Sequence, residues 1–215
     1  MTITASPPEV ELSARAAWSH RVRRVGGFIQ LGFAAFWLVR GALSLGGPAG
    51  TALTGVALVV AVGVLVYAIR VTAGTGARPT SPEAKQIERS VTAATIIELV
   101  ASFALPVIVI AAGHADWVLP CIAVTIGPLL LWLDHLVDVP RFRPVGWALT
   151  IGPVAMVATM SGGALAATTG LSAGILLLGT ATAGFHDLAA LRQRRPSTAV
   201  VLEPLGMLGT DGGFR

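Results

Sequence analysis

Charge is scarce in this chain of 215 residues: Asp, Glu, Lys and Arg make up 12% of it, against 54% hydrophobic residues. Soluble domains carry about 25% charge, so this scarcity, with a mean hydropathy of +0.76, excludes the soluble globular class. Cysteine is almost absent. The single Cys121 lies in an apolar run beside Pro120, and one thiol excludes both an intrachain disulfide and a thiolate metal cluster. A basic, aromatic-interleaved patch is also missing. The pI is near 10.5, but the basic residues are dispersed at the ends of apolar runs, so nucleic acid is not an expected partner. The first twenty residues contain Pro7, Pro8, Glu9 and Glu11 and no apolar core before Val25, which is not the pattern of a cleavable signal peptide. No internal repeat is visible.

What remains is a series of long apolar runs. They cover about Val25 to Leu45, Thr51 to Val71, Val91 to Ala112, Trp117 to Leu136, Val145 to Met160 and Ala164 to Leu188. Each is close to the roughly 20 residues that cross about 30 Å of hydrocarbon. The expected fold is therefore all-α, a polytopic membrane helix bundle with about six transmembrane helices in residues 25–190. The fifth run is the shortest and is interrupted by Gly and Pro. Gly46-Gly47-Pro48 and Ser161-Gly162-Gly163 read as turns, Ser81 followed by Glu83 as a helix start, and Pro140 to Pro144 as a helix stop.

Basic residues mark one side. Residues 1–24, the loop of residues 72–90, the segment 137–144 and the start of residues 191–215 all carry Arg or Lys, whereas the other turns carry none. The positive-inside bias then predicts a multi-pass protein of the plasma membrane with both termini cytoplasmic and an aperiodic, disordered tail over 191–215. Arg40 alone falls toward the outer side. Pro106, Pro128 and Pro153 interrupt helices without ending them, as membrane helices tolerate. Gly170 and Gly174 form a small-xxx-small pair that predicts close packing inside the bundle.

Ionisable groups in lipid are costly, so Glu98 is the first candidate for chemistry. On the expected topology it sits about 10 Å below the cytoplasmic surface at 1.5 Å per residue, with Thr95 and Ser102 on its own face. An apolar setting favours the neutral acid that proton donation requires. Asp134, His135, Asp138, His186 and Asp187 emerge at that same surface, so Asp134 or Asp187 is a candidate second acid or base. Surface charges of no function are equally in keeping with these positions. His135 and His186 lack HxxxH or HExxH spacing and the carboxylates do not form a DDxxD pair, so neither a metal nor a cofactor is expected. A further stripe, Gln30, Phe33, Trp37, Arg40 and Ser44, recurs at three and four residues and predicts a face toward the bundle interior. With Phe103 and Trp132 it outlines an aromatic-walled pocket, since aromatic faces stabilise cationic centres. Tyr67 fits either that wall or the interfacial aromatic belt.

From Glu98 to Pro144 the chain resembles a broad group of small bacterial integral membrane proteins. In that group a Gly-x-Pro turn precedes a helix ending roughly Gly-x-His-Phe-Leu-Pro-Leu-Ala-Arg before a proline. Here the turn runs from Gly113 to Pro120 and the helix end from Gly127 to Pro140, with Leu129 in place of the histidine, Trp132 in place of the proline, and Asp134 and His135 in place of Ala-Arg. Size, helix content and membrane acids also resemble the membrane-bound terpene cyclases of indole meroterpenoid biosynthesis. That resemblance implies a cofactor-independent cyclase that protonates a farnesyl-type aromatic substrate, with Glu98 as acid, Asp134 or Asp187 as second acid or final base, and Phe33, Trp37, Arg40, Tyr67, Phe103, Trp132, His135 and His186 around the substrate. The alternative is a non-enzymatic small transporter or accessory subunit. The oligomeric state is not readable.

Overall fold

The structure, a computed structural model, describes residues 21–73, 82–137 and 139–194; Asp138, the first twenty residues and the tail beyond residue 194 lie outside it. A π-helical turn, Val22–Gly26, leads into α1 (Gly27–Leu45), followed by α2 (Gly47–Thr72), α3 (Pro82–Ala111), α4 (Val118–Val137), α5 (Phe142–Thr159) and α6 (Gly162–Arg194). No strand occurs among the described residues. The protein is an all-α helical bundle. Every backbone N–H and C=O in lipid must find a partner within the chain, which helices provide segment by segment.

Five helical stretches, Arg24–Leu45, Gly47–Thr72, Lys85–Ala111, Ala115–Val137 and Gly162–Leu191, are long and apolar enough to cross a membrane. The shorter α5, with 18 residues, is not among them. Its ends nevertheless match those of its neighbours: the Gly162 N–H after α5 donates to the Asp116 carboxylate before α4 at 3.2 Å. One end of the bundle thus gathers the α1–α2, α3–α4 and α5–α6 turns. The opposite end gathers Arg21, Arg70, Lys85, Arg89, Arg141 and Arg143, with Arg40 the only described Lys or Arg in the other half.

Several helices start earlier than the runs suggested. α2 begins at Gly47 with Pro48 in its first turn, so the expected Gly46-Gly47-Pro48 turn shrinks to Gly46, whose φ of 67° glycine tolerates. α3 begins at Pro82, and Pro144 lies in the first turn of α5 rather than stopping a helix. First-turn positions need no N–H partner within the helix, so proline fits there.

α6 is the hub, packed against α1 most extensively and also against α2, α4 and α5. α4 packs on α5, and α3 leans on α4 at the edge. Apolar side chains lose little by facing lipid, so helix association rests on close contact between small residues. Gly170 and Gly174 do this, as expected. A Cβ on Gly170 would lie 2.6 Å from the Gly41 Cα, one on Gly174 2.6 Å from the Leu38 Cγ, and one on Gly41 2.6 Å from the Leu171 backbone nitrogen. Around this seam Trp37, Leu177 and Phe185 are almost wholly buried.

Gly41→Val and Gly170→Val should each destabilise the bundle by about 1–3 kcal/mol, the usual cost of overpacking, read as a lower melting temperature in detergent. Gly32→Ala and Gly63→Ala, where an added Cβ meets nothing within 4 Å, should leave it unchanged or raise it slightly.

Candidate functional site

α3 touches the bundle along one side only, and the space between α1, α3 and α4 remains open as a cleft of about 350 Å³. α1 contributes Ile29, Gln30 and Phe33; α3 contributes Glu88, Thr92, Thr95, Glu98 and Leu99; α4 contributes Ile126, Leu129, Leu130 and Leu133. Leu177 of α6 and Phe142 also line it. Between Glu88 and Glu98 the cleft follows α3 for about 15 Å at 1.5 Å per residue. Its volume falls within the range of small-molecule pockets, about 300–1,000 Å³. The walls are aliphatic apart from Phe33 and Phe142. Polar groups occupy the two ends: Arg21 and Glu88 at the basic end of the bundle, Glu98 with Thr95 and Gln30 further in.

Glu98 lies midway along the Lys85–Ala111 stretch, about 20 Å from either end by helical rise. α3 starts nine residues before Val91, so its helical backbone extends further toward the basic end than the apolar run alone suggested. Glu98 is half-buried and hydrogen-bonded: the Ser102 hydroxyl donates to its Oε1 at 2.8 Å. The same hydroxyl lies 2.6 Å from Thr125 Oγ1 on α4, and Thr125 donates to the Ile122 carbonyl at 2.8 Å. This line of oxygens crosses the α3–α4 seam within the apolar stretches of both helices. It also sets the antiparallel register, with Ser102 beside Thr125 and therefore Glu98 near Leu129.

That register separates the acids that the expectation had grouped together. Asp134 is five residues beyond Leu129, about 8 Å along the axis, and does not line the cleft. Asp187 is on α6 at the basic end, where the Arg141 guanidinium donates to it at 2.6 Å. An aspartate so paired is a structural tie between the α4–α5 connection and α6, and the cleft does not include it. Exposed His186 borders a different groove, between α2 and α6, with Arg141 and Val64. His135 is exposed at the end of α4. No three His, Cys, Asp or Glu side chains converge among the described residues.

The expected aromatic wall is divided as well. Phe33 lines the cleft, but Trp37 is wholly buried in the core against α4 and α6 residues, with its indole N–H unpartnered. Phe103 and Trp132 face outward, 70% and 50% exposed, where lipid would surround them. Tyr67 and Arg40 are exposed, and the Ser44 hydroxyl bonds back to the Arg40 carbonyl. The stripe on α1 is thus two faces: Gln30 and Phe33 toward the cleft, Trp37 toward the core. Thr125 escaped the sequence reading because it lies within an apolar run; a lone hydroxyl there, across from Ser102, was the available signal.

Comparison with protein-family models, curated proteins and solved structures finds no match.

The Arg141–Asp187 pair is partly solvent-exposed, with side chains 42% and 28% accessible. Arg141→Gln should cost no more than about 1 kcal/mol of stability, a melting-temperature change far smaller than those at Gly41 and Gly170.

Proposed function

We propose that this protein draws an apolar, chain-like molecule of the isoprenoid class from the bilayer into the α1–α3–α4 cleft, and that Glu98 gives it a proton, as in a cofactor-independent cyclase or isomerase. The observation that carries this reading is Glu98 itself: a carboxyl midway along a helical stretch of membrane-spanning length that lines a cleft with room for a guest, rather than one facing outward or sealed in packing. Ionisable groups at this depth are costly and mark function by default.

In the step we propose, the Glu98 O–H bond breaks and its electron pair remains on the carboxylate. The alkene π pair of the guest forms the new C–H bond. The resulting cation rearranges and loses a proton back to the carboxylate, so the net change is an isomerisation that needs no co-reactant. Asp187, held by Arg141, has no part in it, and the return of the proton to Glu98 removes the need for a separate base.

One observation favours a second reading. The cleft wall is aliphatic except for Phe33 and Phe142, whereas a long-lived carbocation is best steadied by several aromatic faces. A carrier of amphiphilic molecules, with Glu98 as a proton-coupled polar contact, requires no such wall.

Glu98→Gln separates these. In membranes supplied with a farnesylated indole, the variant should lose turnover by about a hundredfold or more, the usual worth of a general acid, with expression normal. Unchanged turnover removes the proposed acid. A carrier instead predicts uptake that persists but no longer follows the pH gradient.

We further propose that the basic end faces the cytoplasm, supported by the segregation of Arg and Lys to that end. In a Cys121→Ser background, Ala115→Cys should react with an impermeant maleimide on intact cells and Ala73→Cys only after lysis. The reverse pattern would invert the topology.

A further inference from the structure

Three oxygen contacts run in series across the α3–α4 seam: Ser102 Oγ to Glu98 Oε1, Ser102 Oγ to Thr125 Oγ1, and Thr125 Oγ1 to the Ile122 carbonyl. The two hydroxyls bring only one proton each. When Ser102 donates to Glu98 and Thr125 to Ile122, the 2.6 Å contact between the hydroxyls contains no hydrogen, and two oxygens meet lone pair to lone pair. The Ile122 carbonyl lies within α4 and has its helical partner at the Ile126 N–H. It therefore loses least when Thr125 turns toward Ser102.

We propose that Ser102 and Thr125 are positioning residues, forming a donor chain from Thr125 to Ser102 to Glu98 that holds Oε1 as an acceptor and leaves the Glu98 proton on Oε2 for the cleft. This inference rests on the reading of Glu98 as a proton donor and names what aims it. Once the proton is given up, the same chain ends on a carboxylate. Hydrogen bonds to a charged acceptor are roughly twice as strong as neutral ones, so the chain tightens as charge develops, and that difference favours transfer. Among the described residues, no other charge is close enough to take over this role. The other ionisable cleft residues are Arg21, just before the π-helical turn that leads into α1, and Glu88 on α3, both toward the basic end and Glu88 about 15 Å from Glu98 along α3; α4 faces the acid with Ile126, Leu129 and Leu130.

The opposite polarity also accounts for the distances: a carboxyl proton on Oε1 donates to Ser102, Ser102 to Thr125, and Thr125 to Ile122. It turns the proton away from the cleft. The two arrangements respond to the same substitution with opposite sign.

The test is labelling of the bilayer-embedded protein with dicyclohexylcarbodiimide, a lipid-soluble reagent whose C=N bond takes up the carboxyl proton on nitrogen and the carboxyl oxygen on carbon. The modified peptide is quantified by mass spectrometry. Glu98 should be labelled in the unaltered protein. Ser102→Ala and Thr125→Val should each slow labelling about tenfold, the worth of one hydrogen bond to a charged group. Ser102→Thr and Thr125→Ser, which keep the hydroxyls, should label at the original rate. Because Thr125 acts through Ser102, the double Ser102→Ala, Thr125→Val variant should be no slower than Ser102→Ala alone.

Faster labelling in Ser102→Ala establishes the opposite polarity and overturns the proposal. So do an unchanged rate in Thr125→Val, a valine close in shape to the threonine it replaces, losses that multiply in the double variant, or a Glu98 that is unlabelled without substitution. The outcome is separable from the functional reading. Labelling that behaves as expected, alongside turnover and uptake indifferent to Glu98→Gln, leaves the donor chain standing and removes the function proposed for it.

Discussion

The close approach of α1 and α6 is the constraint on which the rest of the bundle depends. In lipid, two apolar helices do not escape water by associating, so contact must come from surfaces that fit at short range. Gly41 on α1 lies against Gly170 on α6 so closely that neither position has space for a Cβ. That seam leaves Trp37 and Leu177 in a common core and makes α6 the helix to which α2, α4 and α5 attach. A second small-residue contact, Gly127 against the Gly146 carbonyl, joins α4 to α5 in the same manner.

α3 has no such seam. It holds to α4 alone among the long helices it packs against extensively, and its exposed face carries Ile97, Val100, Phe103 and Val107 toward the lipid region. The cleft is the geometric consequence: a helix attached along one side leaves a gap on the other, and the gap opens against α1. Within it the tie from Ser102 to Thr125 has two roles, fixing the register of α3 and reaching the carboxyl beside it. A polar contact in an apolar layer has few competitors for its partners, which makes its geometry persistent even though its net contribution to stability is modest.

The helices were readable because apolar runs of membrane length have few other interpretations. Their limits were less so, and the errors share a cause. Pro48 and Pro144 read as punctuation outside helices, but a helix in lipid begins wherever the backbone can start satisfying itself, and proline is well suited to a first turn. Glu98 was legible from its cost. The aromatic wall failed for another reason. In a soluble helix polarity tells inside from outside, but here both faces are apolar. Phe103 and Trp132, which face outward, and Trp37, which is wholly buried, therefore carry no mark in the sequence to tell them apart. The buried glycines were a better guide, because a residue without a side chain is informative only where something else comes close.

The composition of the cleft limits what an acid within it can do. Under the proposed function, a proton transferred from Glu98 would create two charges at once, a carboxylate and a cation, in surroundings where neither is solvated. Separating them through an aliphatic cleft is unfavourable, since their attraction is barely screened there. Under the proposed function, cationic intermediates would therefore be confined to the neighbourhood of Glu98, where the carboxylate itself would be the counter-ion and the hydroxyls of Ser102 and Thr125 would steady it. Short cation migrations, double-bond shifts and a single ring closure suit such a site. Cascades that carry charge along the length of a substrate do not, because among the described residues Phe33 and Phe142 are the only aromatic faces that line the cleft, and its other carboxylate, Glu88, is about 15 Å from Glu98 along α3. On that proposal, the chemistry open to the cleft would be set as much by the distance from Glu98 to the next ionisable group as by Glu98 itself.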